Sequence, residues 1–213
     1  NIPSFFLINK AKVHDVNFLD PLEYEKDAIY VMDRGYLDFE RLYKMHQLGS
    51  FFFILSKYNL SFNIIYSHKF YRITFLLFDQ TIKLNHFYSL KHYPEKLRRI
   101  KYYDEVSDKY YVYLTNNFDI PAQTIADLYK HRWQIELFFK WMKQHLKFQV
   151  FWGYSFNAIK TQICIAISSF LLVAIMKKQL HLKRNLYEIL QILSTSQFEK
   201  TAAAISSERR RSA

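Results

Sequence analysis

Short apolar runs closed by turn residues mark the first quarter of the chain. Ser4–Ile8 (SFFLI), Ala28–Met32 (AIYVM) and Phe51–Leu55 (FFFIL) each have the length of one buried strand, and Gly35 breaks the chain just after the second. Between the second and third runs, Leu37, Leu42, Tyr43, Met45 and Leu48 recur at helical spacing. Asp38 and Glu40 stand near the start of that helix, where carboxylates favour the dipole, and Gly49 closes it. Strand, helix and strand in this order predict a βαβ unit and a parallel or mixed sheet. Lys10–Lys26, with Pro21, reads as loop or partly helical.

Between Phe62 and Leu114 the texture changes. Tyr, Phe, Ile and Thr alternate with Lys, His, Asn and Arg, which predicts antiparallel strands near Phe70–Phe78, Gln80–Leu84 and Tyr110–Leu114. Pro94–Arg99 reads as a basic connection, and the whole interval 62–114 as a β-rich insertion, because no Gly/Ser/Pro linker isolates it. From Ile120 onward the pattern is helical. Leu128–Lys147 reads as part of one long helix broken near Gly153, followed by helices over Asn157–Lys178 and Asn185–Leu193. Residues 1–200 are expected to form a single partial domain, with Thr201–Ala213 a mobile basic tail.

On one continuous helix, Tyr129, Arg132, Glu136 and Lys143 fall within a sector of about 60°. Leu128, Ile135, Phe138, Phe139, Met142 and Leu146 would occupy a neighbouring, core-facing side. The polar stripe then holds one carboxylate among donors suited to phosphate, which metal-assisted phosphodiester chemistry requires. A solvent-facing i,i+4 pair of Arg132 and Glu136 is the plainer alternative. A second candidate is Asp33-Arg34-Gly35-Tyr36 at the end of the Ala28–Met32 strand, where a strand-end carboxylate could share Mg²⁺ or Mn²⁺ with a helical glutamate.

The 213 residues carry a net charge of +11, and 50% of them are hydrophobic. A disordered chain is thereby excluded, and a polyanionic partner is indicated. The charge gathers at Lys96, Arg98, Arg99 and Lys101 and along Lys130–Lys147. The first group interleaves with Tyr93, Tyr102 and Tyr103, a pattern suited to DNA as well as to a solvated loop. Cys164 is the one cysteine, so neither an intrachain disulfide nor a cysteine zinc site is available, and a reducing, cytoplasmic setting fits. The surrounding apolar run Ile163–Met176 is short for a bilayer and reads as a core helix; no membrane partner and no signal peptide are expected. The scattered histidines lack zinc-pair spacing, and no P-loop, G-x-G-x-x-G or G-x-S-x-G occurs.

Tyr-x2-Arg-x3-Glu-x6-Lys, matched without a gap by Tyr129, Arg132, Glu136 and Lys143, together with Asp33-Arg34-Gly35, resembles the C-terminal part of bacterial insertion-sequence transposases of the DDE type, in insertion sequence family four. The resemblance covers about residues 1–193. It implies an α/β, ribonuclease-H-like fold, a mixed sheet flanked by helices, incomplete at the N-terminus and with the β-rich insertion before the glutamate helix. It further implies Asp33 and Glu136 as catalytic metal ligands for Mg²⁺ or Mn²⁺, and DNA contacts from Tyr129, Arg132, Trp133, Lys143 and Arg34, with Lys96, Arg98 and Arg99 added by their charge. The partners implied are mobile-element ends and target DNA, with a homodimer in the DNA complex.

Such a site also needs a first aspartate on an earlier strand. Asp15, Asp20 and Asp27 do not end apolar strands, so that aspartate is expected before Asn1, and this chain alone is expected to be inactive. A non-catalytic DNA-binding remnant and a ribonuclease-H-type metal nuclease are the alternatives.

Overall fold

The computed structural model describes residues 6–9, 13–69, 75–146 and 151–195. The chain divides into two compact units, Asn9–Ile135 and Glu136–Ala213 together with Asn1–Ile8.

The first unit is built on a six-stranded mixed sheet. In chain order its strands are β1 (Ile29–Met32), β2 (Phe51–Leu55), β3 (Phe62–Ser67), β4 (Leu76–Leu84), β5 (Leu97–Asp104) and β6 (Lys109–Thr115). They lie side by side as β1-β2-β6-β5-β4-β3. The β1–β2 pair is parallel, with Ile29 opposite Phe51 and Met32 opposite Ile54, and the remaining neighbours are antiparallel. The expected βαβ unit is therefore present, its crossover being helix α1 (Phe39–Gln47). Asp38 caps α1 by accepting from the Arg41 N–H at 3.0 Å, and the chain leaves past Gly49 at φ 77°, a left-handed backbone that glycine adopts without strain.

Four strands between 62 and 115 extend this same sheet. Two of them were not visible in the residue pattern. β3 exposes most of its residues, and β5 occupies the stretch that read as a basic connection. In β5 the residues alternate between a covered face and a partly covered one, so Arg98 stands inside the buried side of the strand. A short helix α2 (Phe87–His92) precedes it, where no helical period was expected. The expected division at Asp79 is absent: Leu76–Leu84 is one bulged strand. Phe6–Ile8 forms no strand; Ser4, Phe5 and residues 70–74 of the predicted strands, and the tail 201–213, lie outside the described residues. Among the described residues of Lys10–Lys26, Asp15–Leu19 forms a 3-10 turn.

Helices cover both faces of the sheet. On one, Leu42 and Met45 of α1 and the buried Tyr93 pack on Phe52, Ile54, Ile82, Leu84, Leu97 and Leu114. On the other, helix α3 (Ala122–His131) sets Ile125, Ala126 and Tyr129 against Phe53, Leu55, Ile100, Tyr102 and Tyr113. The path from β6 into α3 is pinned by polar groups. Asn117 Oδ1 accepts from the N–H groups of Asp119 and Ile120. Arg98 Nη1 donates to the carbonyls of Phe118 and Ile120, at 3.3 and 2.6 Å. Its guanidinium is paired with Asp79 by two bonds of 2.9 and 2.6 Å, and both side chains are only 8% exposed.

The second unit contains most of helix α4 (Trp133–His145), all of α5 (Phe156–Gln179) and a further helical stretch, residues 186–195. Its core is Met142, Ala166, Ile167 and Phe170, with Phe138, Trp141 and Leu146 packed around them. α5 is capped by Ser155 Oγ accepting from the Ala158 N–H. At 24 residues it is longer than its apolar run suggested, and by length and composition alone it could cross a membrane. Leu172 is 66% exposed, so the helix is not enclosed on all sides.

Removing one partner of a buried ion pair strands the other's charge, at a cost of roughly 3–5 kcal/mol. Arg98→Ala should lose about that much stability by urea denaturation, whereas Asp79→Leu combined with Arg98→Met should recover most of it. A loss near zero for Arg98→Ala would remove the pair from any role in holding α3.

Candidate active site

Asp33 leaves β1 immediately after the buried Met32, and its side chain turns back on the chain. Its Oδ1 accepts from the Arg34 N–H at 2.8 Å, which caps the 3-10 turn Arg34–Tyr36. The carboxylate is thereby held at the strand end while the residue stays exposed. An Asp at this place satisfies a local backbone donor and presents charge to solvent together.

Tyr129 comes to this carboxylate from 96 residues away. Its hydroxyl donates to Asp33 Oδ1 at 3.2 Å, and its ring lies 5.0 Å from that of Tyr113 and 6.4 Å from that of Tyr111. Tyr129 is 6% exposed; burial, foremost, and the nearby Asp33 charge raise its pKa, so it remains a protonated donor. The Arg132 guanidinium stands over the Tyr129 ring at 5.3 Å. Asp33, Tyr129 and Arg132 form one contiguous group.

The end of α3 is tied down beside them. Lys130 Nζ meets Asp104 Oδ1 at 2.8 Å and lies over the Tyr102 ring at 5.2 Å. Asp104 also accepts from the Ser107 hydroxyl at 2.6 Å and its N–H at 3.2 Å. The bond from Lys130, then those from Ser107, hold the Asp104 carboxyl below its ordinary range; the same bond raises the Lys130 ammonium. Asp79, Asp104 and Tyr113 were not singled out in the sequence. Only the alternation over Tyr110–Leu114 pointed to a strand here; the stretch that became β5 read as a basic connection.

The single-helix reading of the four-residue stripe is corrected. α3 ends at His131, and α4 begins at Trp133. Around Arg132 the backbone tightens, with the N–H groups of Arg132 and Ile135 each bonding three residues back, to Tyr129 and Arg132 at 3.0 Å. Tyr129 and Arg132 thus stand at the end of one helix, and Glu136 and Lys143 on the next. The apolar face divides likewise. Leu128 belongs with the sheet core and Phe138, Met142 and Leu146 with the α5 core, while Ile135 and Phe139 are 54% and 49% exposed.

Glu136 is exposed in the first turn of α4, and Lys143 is exposed in its last; Trp133 is 56% exposed. Arg34 places its guanidinium 4.6 Å over the ring of Tyr58, itself 94% exposed. Lys96 is exposed just before β5. Arg98 departs from expectation: it is buried in the Asp79 pair and serves the fold, not a DNA backbone. Arg99, one residue on, points to the opposite face, between the rings of Phe78 and Phe62 at 4.3 and 4.6 Å. Among the described residues, no group of three His, Cys, Asp or Glu side chains is gathered as a metal cluster.

Residues 2–172 match the family described as Transposase DDE domain. The chain is 32% identical to "Putative transposase y4zB" of Sinorhizobium fredii, over 81% of this chain and 49% of that protein. A 60-residue stretch is 40% identical to "Probable transposase for insertion sequence element IS5377" of Geobacillus stearothermophilus, covering 28% of this chain and 16% of the relative. "Putative transposase for insertion sequence element IS4SA" of Synechocystis is 24% identical over 82% of this chain and 49% of its own length. The chain thus spans about half the length of two of these relatives, and less of the third. No solved structure matches.

The Asp104–Lys130 tie makes a pH prediction. A carboxyl whose native pKa lies below its unfolded value stabilises the fold above that unfolded value, and the benefit is lost as pH falls through the native one. Asp104→Asn should lower stability at neutral pH and flatten the decline below pH 3.8, the ordinary value for this group. Chemical denaturation across pH 2–7 reads this out; an unchanged acid limb would detach Asp104 from it.

Proposed function

The chain belongs to the transposase DDE domain family, and on that premise we propose that it carries two of the three carboxylates, Asp33 and Glu136, with which the whole protein cuts DNA at mobile-element ends and joins them to a target. The observation that carries this reading is the tyrosine-buttressed Asp33 at the end of β1, the edge strand of the sheet, with Arg132 beside it. An exposed, chain-anchored carboxylate of this kind suits a hard divalent cation, which prefers oxygen donors and retains water. Asp33 and Glu136 would hold Mg²⁺ or Mn²⁺, which when bound supplies Lewis acidity and an activated oxygen nucleophile.

The chain's own residues do the remaining work. Tyr129 fixes the direction of the Asp33 carboxylate through a hydroxyl that stays protonated. Arg132 offers a planar fork to a phosphate of the element end, and Lys143 a point charge. Trp133 stacks on an unpaired base at the cut, and Arg34, Lys96 and Arg99 contribute backbone contacts. Residues 62–114 act as the β-rich insertion of the catalytic domain, and the paired-end complex is a homodimer working in the bacterial cytoplasm.

The third carboxylate is assigned to protein outside this sequence. Asp20 is engaged by Arg41 through two bonds of 2.7 Å, Asp27 sits at a turn with φ 63°, and Asp15 opens a 3-10 turn. This chain by itself would not cleave. A DNA-binding remnant without chemistry would bind element-end DNA yet fail to cut it even when extended. A ribonuclease-H-type nuclease would differ in yielding degradation without strand transfer.

In protein extended to the length of the relatives, Mg²⁺-dependent nicking and strand transfer on element-end DNA should be present, and Glu136→Gln should abolish both while duplex binding stays within about twofold. Retained cleavage in that variant would take Glu136 out of the site. Lys143→Ala should reduce the slope of log affinity against log salt by about one unit, and an unaltered slope would return it to the solvated surface.

A further inference from the structure

The sheet's α1-covered face is not covered along its whole length. Along β5, alternate residues Leu97, Arg99, Lys101 and Tyr103 share this face. Leu97 lies within the core beneath α1, whereas Tyr103 and its cross-strand partner Tyr110 lie beyond it. Tyr110 is 62% exposed and Phe75 43%. The Tyr103 and Tyr110 rings lie 5.0 Å apart, with Phe75 6.3 Å from Tyr103. Lys101 Nζ stands 4.8 Å from the Tyr110 ring, and Arg99 is wedged between Phe62 and Phe78.

Arg99 is the telling residue. It is half-buried, its Nη1 donates to the neutral Gln80 Oε1 at 3.1 Å, and its Nε has no hydrogen-bond partner. Arg98, on the other face of the same strand, has the Asp79 carboxylate; among the described residues, Arg99 and Lys101 form no ion pair to a carboxylate. Desolvation accordingly lowers the Arg99 pKa. The carboxylates near this surface, Glu105 and Asp108, lie in the β5–β6 turn, and Asp108 is occupied by the Tyr103 hydroxyl at 2.7 Å. Cations at the inner end of an open strip and aromatic rings at the outer end match an anionic polymer with flat bases.

We infer that this strip is a binding site for single-stranded DNA, bases stacking on Tyr103, Tyr110 and Phe75 while phosphates meet Lys101 and Arg99. Stacking on aromatic rings needs unpaired bases, and a duplex does not offer them. The site is on the opposite face of the sheet from Tyr129, and it rests on the transposase reading only for the choice of DNA as polymer.

The test is fluorescence anisotropy of a labelled oligothymidylate with the whole chain. Tyr103→Ala with Tyr110→Ala should weaken binding at least tenfold, as expected for loss of base stacking, while Tyr103→Phe with Tyr110→Phe should stay within threefold. Lys101→Ala should reduce the salt slope by about 0.7, the value for one single-strand phosphate contact. Circular dichroism checks that each variant is folded. The inference is overturned if the alanine pair binds within twofold of the parent, if the phenylalanine pair loses as much as the alanine pair, or if the Lys101→Ala slope is unchanged. Oligothymidylate binding by this strip without metal-dependent cleavage in the extended protein would sink the transposase reading and leave the strip standing. Duplex binding and cleavage without oligothymidylate binding would do the reverse.

Discussion

The first unit depends on how α3 is fastened to the sheet. Arg98, neutralised by Asp79, reaches the carbonyls of Phe118 and Ile120 just before the helix begins, and Lys130 grips Asp104 near its end. Between these anchors Ile125, Ala126 and Tyr129 bury against Phe53, Ile100 and Tyr113. A helix fixed at both ends can set one hydroxyl against one carboxylate across 96 residues of chain. Without the anchors, Tyr129 would be one more aromatic on an amphipathic helix.

The same economy appears in the use of charge. Arg98 and Arg99 are neighbours in sequence, yet the two-residue period of a strand sends them to opposite faces with opposite consequences. One finds a carboxylate and becomes part of the scaffold; the other is sandwiched by phenyl rings and, among the described residues, has no carboxylate partner. A buried cation is tolerable only when paired, and a half-buried one without a carboxylate retains its pull on anions. A net charge of +11 therefore says less about function than the sorting of individual cations by the pleat.

Asp33 lies within the family match and also in a defined local geometry. The match over residues 2–172 concerns the whole sequence pattern, while the Asp33–Tyr129 hydrogen bond concerns one atom pair. The tyrosine stays protonated because it is buried, and a protonated hydroxyl can steer a carboxylate without competing for a cation. A neutral donor is the suitable partner for the charge that the proposed metal site would use.

What residues could declare on their own was whatever depends on near neighbours. The βαβ unit was legible because β1, α1 and β2 each carry a complete local pattern and Gly49 ends the helix. The helical character of the stretch from Ile120 and of α5 was legible for the same reason, as were Asp33 and the Tyr129–Lys143 spacing as candidates. Tertiary structure decided the rest. Strand β5 looked like a basic loop because the carboxylate that buries Arg98 lies on β4, nineteen residues back. The helix that seemed continuous across Arg132 is interrupted by a tight turn, so Ile135 and Phe139 do not share the core of Leu128. Periodicity records which side chains could share a face; which charge is neutralised, and which helix keeps its phase, depends on contacts between segments that meet only after folding.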